Sequence, residues 1–321
     1  MRRILLVPYI MTALVVCCTA ALAQAYPSQT IRFVIPYPPG GPSDVIGRML
    51  ADKLKTSLGQ TTVVENKSGA AGMVAMADLL SRPKDGHTLH QCSYIDANNT
   101  AVFKKVSYKL DDITPVTLVS KSYYALTIAN HIPANTVDEF IRYAKSRPGE
   151  LTYGRVGAGG ITELLVRQFD HLAGIKTHGV TFRGTPHSVQ EMLGGRLDFV
   201  IGPPNTVLPL HEAKKLKVIG VTSPERLPAA PDIPTLSEQK IPITYYGWWG
   251  MCVASGTPKP IVDLLNRTLT TAVESDDFKW LMEQNGMIAV TSSSEELARM
   301  MVETARDTAR LMREVGIEQL D

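Results

Sequence analysis

IRFVIPYPPGGPSDVIGRML, residues 31–50, decides how this chain folds. Its first six residues have the apolar pattern of a short strand, 38–41 form a Pro-Pro-Gly-Gly turn, and apolar residues then recur at helical spacing. A strand that enters a helix through such a turn aims backbone N–H groups and the positive end of a helix dipole at one small volume. The turn holds no lysine, histidine or nucleophile placed for chemistry. Amides beside the Ser43 hydroxyl suit holding an anion rather than transforming it.

The residues upstream read as a leader. Arg2 and Arg3 precede an almost wholly apolar run over 4–22, and Ala23-Gln24-Ala25 gives the small-x-small pattern of a signal-peptidase site. Residues 1–25 are therefore expected to be a cleaved signal peptide, with Tyr26 as the mature N-terminus of an exported protein. A retained anchor is the alternative, because the run approaches the ~20 residues of a membrane span. The cleavage pattern and the lack of a second such run favour release. A lipoprotein reading of Cys17 and Cys18 fails on Val16, where a small residue is wanted.

Arg2 and Arg3 also account for the whole formal charge of +2, so residues 26–321 are balanced. Balance without a basic block argues against nucleic acid or an anionic membrane surface as partner. The length suits one large domain or two ordinary ones. Only Cys92 and Cys252 follow the leader, too far apart in sequence to form a disulfide framework. Both lie in apolar strand-like runs, and the expectation is two buried free thiols.

Short apolar runs alternate with helical segments, which predicts an α/β fold with largely parallel sheets. Strands are expected over 31–36, 61–65, 88–93, 116–129, 151–154, 177–181, 199–202, 217–222 and 250–254. Helices are expected over 43–58, 70–81, 137–146, 161–173, 186–193, 260–275, 278–285 and 295–315. In the last, Leu297, Met300, Met301, Ala305, Thr308, Leu311, Met312 and Val315 form a core-facing stripe. The Pro-rich stretch 224–242 reads as an ordered surface loop. The long run 116–129 could cross between two lobes and 243–254 could cross back. Lobe 1 would then comprise 26–125 plus 246–321, and lobe 2 residues 126–245.

Four strand-to-helix junctions are rich in glycine: PPGGPSD at 38–44, SGAAG at 68–72, GAGGIT at 157–162 and FRGTP at 182–186. Glycine lets a ligand approach the backbone, and ligands of open α/β sheets bind beyond the carboxyl ends of strands. Four converging junctions point to a cleft for a carboxylate or another small anion. Ser43 and Asp44 both suit helix capping; Ser43 can also touch ligand, whereas Asp44 is better placed to brace the loop. Arg155 and Arg183 flank glycine-rich junctions and could fork a carboxylate, though exposed arginine is the commoner fate. Asp198 either accepts a hydrogen bond from ligand or ties down a turn.

Enzymatic signatures are missing: no Gly-x-Ser-x-Gly, His-Glu-x-x-His, P-loop or Cys-x-x-Cys occurs, and 157–160 lacks dinucleotide spacing. His87, His90 and Cys92 fall short of a metal site in ligand count and spacing. Neither metal nor cofactor is expected. Trp248 and Trp249 could stack on a ligand or serve the core or a hinge.

These motifs, taken in order, resemble the periplasmic solute receptors of tripartite tricarboxylate transporters, the Bug-type receptors. The resemblance runs from Tyr26 to about Ile317. It is carried by Pro-x-x-x-Gly-Gly-x-Ser-Asp at 36–44, Leu-Gly-Gln at 58–60, VVENKSGAAG at 63–72 and Asp-Gly-His-Thr-Leu at 85–89. Leu-Thr-Tyr-Gly at 151–154, Arg-Gly-Thr-Pro at 183–186, Leu-Gly-Gly-Arg-Leu-Asp at 193–198 and Thr-Pro-Lys-Pro at 257–260 extend it. It implies a type II periplasmic-binding-protein fold, two α/β lobes closing on a ligand cleft. Tyr37, Pro39, Gly40, Gly41, Ser43 and Asp44, with Gly69, Ala70, Ala71 and Gly72, would face ligand from lobe 1. Gly159, Gly160 and Ile161, then Phe182, Arg183, Gly184 and Thr185, with Asp198, would close from lobe 2.

The implied function is capture of a small organic carboxylate and delivery to an integral-membrane permease, by a protein expected to act as a monomer. A secreted α/β enzyme acting on a carboxylate, or a ligand-presenting sensor, are the competing readings. The chain departs from the family pattern at Gly160 and Glu163, where a serine and a histidine are usual, and at Arg155 and Gly202. Substrate choice is accordingly expected near Arg155, Gly160 and Phe182. Phe182, Tyr37 and Tyr94 lean toward an aromatic acid or a longer dicarboxylate, with acidic amino acids also in view.

Overall fold

The computed structural model describes residues 26–40, 42–156 and 160–321. The signal-peptide reading of 1–25 and the expected contacts of Gly41 and Gly159 lie outside the described residues. In chain order the first elements are β1 (Ile31–Ile35), α1 (Pro42–Leu58), β2 (Thr62–Asn66), α2 (Met73–Leu80), β3 (Thr88–His90) and α3 (Tyr94–Val102). Next come β4 (Ile113–Tyr123), β5 (Ala125–Ala129), α4 (Val137–Lys145), β6 (Thr152–Val156), α5 (Ile161–Ala173), β7 (His178–Phe182) and α6 (Thr185–Leu193). The chain continues with β8 (Phe199–Gly202), α7 (Pro204–Glu212), β9 (Leu216–Val221), β10 (Tyr246–Ala254), α8 (Lys259–Glu274), α9 (Asp276–Gln284), β11 (Ile288–Ala289) and α10 (Ser294–Glu314).

The strands form two sheets, β11-β4-β10-β3-β1-β2 and β7-β6-β8-β5-β9. Each contains a parallel core, β2-β1-β3 in the first and β7-β6-β8 in the second. The expectation of largely parallel sheets holds only there. β10 runs antiparallel to β3 and β4, and β5 runs antiparallel to β8 and β9. These are the strands that enter or leave a sheet by crossover, so their direction follows the path of the chain rather than a βαβ repeat.

The run expected as one strand over 116–129 is two, and the break is informative. β4 belongs to the first sheet, β5 to the second, and Tyr124 between them is buried. The return crossing passes beside it, with the Tyr124 and Tyr245 rings 5.9 Å apart. Thr222, fully buried, clasps both crossings. Its hydroxyl accepts the Tyr124 N–H at 2.9 Å and donates to the Tyr245 carbonyl at 2.7 Å. Its own N–H and carbonyl pair with Tyr124 and Tyr245 at 2.8 and 3.0 Å.

Local sequence explains the helices that surround the sheets. In α4, Val137, Phe140 and Ala144 fall on one buried face, and the Thr136 hydroxyl caps the Glu139 N–H at 3.2 Å. Phe140 packs in the second sheet's core with ring centroids 5.1 Å from Phe199 and 6.1 Å from Phe169. The α10 stripe buries Leu297, Met301, Thr308, Leu311 and Met312, and the Thr308 hydroxyl donates to Asn98 at 2.7 Å. Two helices were not expected. The predicted strand 88–93 stops at His90, and Ser93 opens α3 instead. Pro203 and Pro204 open α7, which carries a second proline at Pro209.

The cysteines correct the reading from spacing. Cys92 and Cys252 form a disulfide, with Cα atoms 5.8 Å apart and a sequence separation of 160. Antiparallel pairing places Cys252 opposite His90 at the end of β3, which brings it to Cys92. Sequence separation carries no trace of a neighbour made by strand order.

Candidate functional site

A cavity of about 540 Å³ opens between the halves built on the two sheets. Its walls come from segments that follow the parallel strands: 36–38 after β1, 68–72 after β2 and 93–103 after β3. From the second half come Val156 and 160–162 after β6, 184–185 after β7 and Pro203 after β8. Ligands of open α/β sheets occupy this position.

Among the described residues, five helices begin in the cavity wall. Their N-cap residues are Gly72 for α2, Ser93 for α3, Gly160 for α5, Gly184 for α6 and Pro203 for α7. Only α3 is capped by a side chain. There Ser93 accepts the Ile95 N–H at 3.2 Å, and Asp96 reaches back to the Ser93 N–H at 2.7 Å. At α2, α5, α6 and α7 the N-cap residue is glycine or proline and makes no side-chain cap. A helix end without a side-chain cap leaves backbone N–H groups for another acceptor beside the positive dipole end, which is the chemistry of an anion site; α7 contributes its dipole end alone at Pro203 and Pro204, which have no N–H, and α5 already holds Glu163 in its first turn.

The turn before α2 is held in an unusual shape. Gly69, Ala70, Ala71 and Gly72 all have positive φ, at 136°, 45°, 52° and 88°. Glycine tolerates this freely, but the two alanines carry a cost of roughly 1–2 kcal/mol each. Asn99 secures the turn by donating to the Ala71 carbonyl at 2.8 Å, and the Gly72 N–H donates to the Gly69 carbonyl at 3.0 Å. Strain of this kind gathers at ligand clamps, where the fold enforces a shape the sequence would not choose.

Tyr37, Tyr94 and Tyr124 complete the first half of the wall. Burial raises all three hydroxyls above the ordinary tyrosine value, so they stay protonated and can donate. Tyr124 donates to the Tyr94 oxygen at 3.3 Å, and the Tyr94 ring meets Trp249 edge-on at 5.8 Å. Trp248 is buried in the core, with its indole N–H on Thr304 at 3.0 Å.

Of the residues chosen from sequence, Tyr37, Gly69, Ala70, Ala71, Gly72, Gly160, Ile161, Gly184 and Thr185 line the cavity. Pro39, Gly40, Ser43, Asp44, Phe182, Arg183 and Asp198 stand outside its lining. Asp44 is the brace of the first turn: it accepts the Gly40 N–H, the Arg48 Nε and the Asn66 amide, each at 2.9 Å. The Arg48 guanidinium, helped by Gly40 and Asn66, holds its carboxyl at about 2. The Ser43 carbonyl accepts from the Gln91 amide at 3.2 Å. Phe182 packs against the second sheet's core, and Arg183 is exposed beside Gly184.

Asp198 has the contacts of a turn tie. It accepts the Thr152 N–H at 2.6 Å, the Thr152 hydroxyl at 2.9 Å and His131 Nε2 at 2.8 Å. It precedes the four-residue β8, so it lies about 13 Å from the end of that strand which reaches the cavity. Arg155 pairs with Glu163, and its Nε donates to Thr181 at 3.0 Å, so neither member of that pair lines the cavity.

Sequence reading missed Ser68, Ser93, Asp96, Asn98, Asn99, Tyr124 and Pro203 in the wall. The signal for α3 was present: Ser93-x-x-Asp96 is a capping-box pattern. Among the described residues no three histidine, cysteine or acidic side chains gather as a metal site. No described helix is long and apolar enough to cross a membrane.

Comparison with known proteins agrees with this architecture. Residues 46–317 match the family model described as tripartite tricarboxylate transporter family receptor. Protein BugT of Bordetella pertussis is 28% identical over 320 residues, covering 98% of each chain. The structure of R. palustris Rpa4515 with adipate superposes at a TM-score of 0.81, with 26% identity over 92% of this chain and all of that one. MatC from Rhodopseudomonas palustris, solved with bound malate, gives a TM-score of 0.75 and 27% identity, covering 89% of this chain and 99% of that one. With the periplasmic-binding-protein fold and the solute-binding, extracytoplasmic character of these relatives, the chain belongs to the tripartite tricarboxylate transporter receptor family.

Proposed function

We propose that this protein captures a small organic carboxylate between its two halves and delivers it to an integral-membrane permease of the tripartite tricarboxylate type. The observation that carries the reading is the set of four helix N-termini in the cavity wall whose N-cap residue, glycine or proline, supplies no side-chain cap. A carboxylate supplies the missing acceptors and the negative charge together. One such terminus belongs to the first half and three to the second, so a ligand bound to both favours the closed arrangement over the open one. Solved relatives that hold adipate or malate support the substrate class.

In this reading 26–125 with 246–321 move as one lobe and 126–245 as the other, and the Thr222 clasp lies at the hinge between them. Residues 1–25 direct export and are removed, and the mature protein works as a monomer in the periplasm. The strained 69–72 turn and the α5 and α6 N-termini form the grip. Gly41, Ser43 and Gly159 join it when the lobes close.

A thermal-shift screen over mono-, di- and tricarboxylates and amino acids tests capture. A ligand present at about 100 times its Kd adds about 2.7 kcal/mol, a rise of several degrees in Tm for a chain of this size. No shift with any acid contradicts the reading. Deleting the gene should then abolish uptake of the acid that gives the largest shift; unchanged uptake would exclude the transport role.

A further inference from the structure

The described cavity wall carries one carboxyl side chain and no cationic one. Asp96 is 1% exposed and stands at the start of α3. Asp96 Oδ2 accepts the Ser93 N–H at 2.7 Å. Its Oδ1 faces the 69–72 turn: a methyl group built on Gly72 would lie 3.7 Å from it. A carboxylate at this depth needs a counter-charge or several donors. His90 Nε2 lies 3.5 Å from Oδ1, at ion-pair distance but without a hydrogen bond, and both nitrogens of that fully buried ring lack a hydrogen-bond partner.

The wall is polarised in consequence. The second half offers three helix N-termini whose positive dipole ends favour an anion, with backbone N–H groups at those of α5 and α6. The first half offers a carboxylate among the rings of Tyr37, Tyr94 and Tyr124, whose π faces attract cations. Resting on the receptor reading above, we infer that the solute carries an ammonium or quaternary ammonium group as well as its carboxylate. The cationic group sits beside Asp96 among the tyrosines, and the carboxylate meets the N-termini of α5 and α6. A plain dicarboxylate would turn its second anion toward Asp96, so the same side chain that attracts one class rejects the other.

Isothermal titration of the purified protein with matched acids tests this. The pairs are phenylalanine with 3-phenylpropanoate, glutamate with glutarate, 6-aminohexanoate with hexanoate, and glycine betaine with 3,3-dimethylbutanoate. In every pair that binds, the ammonium member should bind at least about ten-fold tighter than its plain acid. Asp96→Asn, which keeps an acceptor for the Ser93 N–H, should remove that preference while leaving the plain acids as tight or tighter. Equal or tighter binding of the plain acids by the unaltered protein overturns the inference and leaves the receptor reading standing. Absence of binding across the panel overturns both. The comparison within the unaltered protein decides the matter even if Asp96→Asn does not fold.

Discussion

The two halves of the cavity wall solve different problems. The first is rigid and chemically particular: a left-handed turn, a capped helix, three tyrosines and a buried acid, with the Cys92–Cys252 bridge beneath. The second presents little but backbone, through the uncapped starts of α5, α6 and α7. The difference suggests a division of labour. On the proposed function, the second half would grip a carboxylate without regard to what bears it, and the first would select among the molecules that do. That differs from the sequence expectation, which places selection near Arg155, Gly160 and Phe182.

The largest effect should come from filling the generic half. Gly184 has an extended φ of 172°, and an added methyl would meet only the Pro186 Cδ at 3.6 Å, so Gly184→Leu should fold normally. Its side chain would occupy the space before the α6 N-terminus. Affinity for any bound acid should fall by about 100-fold or more, some 2.7 kcal/mol, while Tm without ligand stays within a few degrees. Retained affinity would show that the α6 N-terminus is not part of the grip.

The rigidity of the first half is tested by removing its bridge. The disulfide closes a span of 160 residues, and Cys92→Ala with Cys252→Ala should cost about 2–4 kcal/mol in denaturant unfolding. Ligand affinity should fall as well, because Cys92 adjoins Ser93 and Tyr94 in the wall. A stability loss with affinity unchanged would mean that the bridge serves folding alone.

Asp170 on α5 provides a pH probe of the second half. Burial raises its carboxyl from 3.8 to about 6, despite a 2.7 Å hydrogen bond from the Thr177 hydroxyl. An acid whose folded pKa lies above its unfolded value loses stability as pH rises from about 4 to about 6, and the loss is complete above that. The shift corresponds to roughly 3 kcal/mol. Asp170→Asn should remove this slope from a plot of unfolding free energy against pH. Parallel curves for the two proteins would show that Asp170 does not titrate with folding.

The smallest effect separates strain from stability. Ala71→Gly relieves a φ of 52° and should stabilise the fold by up to about 1 kcal/mol, offset in part by the greater freedom of unfolded glycine. The looser turn should bind ligand a few-fold more weakly by titration. Tighter binding would refute the view that its strained shape is the one the ligand needs.

Much of this was legible in the chain. The glycine-rich junctions gave the position of the cavity, because a turn between strand and helix is a local property written in adjacent residues. The 69–72 turn and the starts of α5 and α6 lie where those motifs said. What sequence concealed is non-local. Cys252 meets Cys92 only through the order β10-β3, and Tyr124 and Tyr245 meet only because both crossings share Thr222. Asp96 was hidden differently: the apolar run ending at Ser93 looked like one strand, and a helix start inside it went unread. Asp198 and Arg155 show the converse, polar residues near a glycine junction whose contacts stay within the second half's framework.

The most direct measurement is a crystal structure of the protein with the acid that stabilises it most. The account predicts that the carboxylate oxygens lie within hydrogen-bond distance of N–H groups at the start of α5 or α6, while the rest of the molecule contacts the 69–72 turn or the tyrosines. A ligand confined to one half, or a carboxylate bound away from every uncapped helix start, would contradict it.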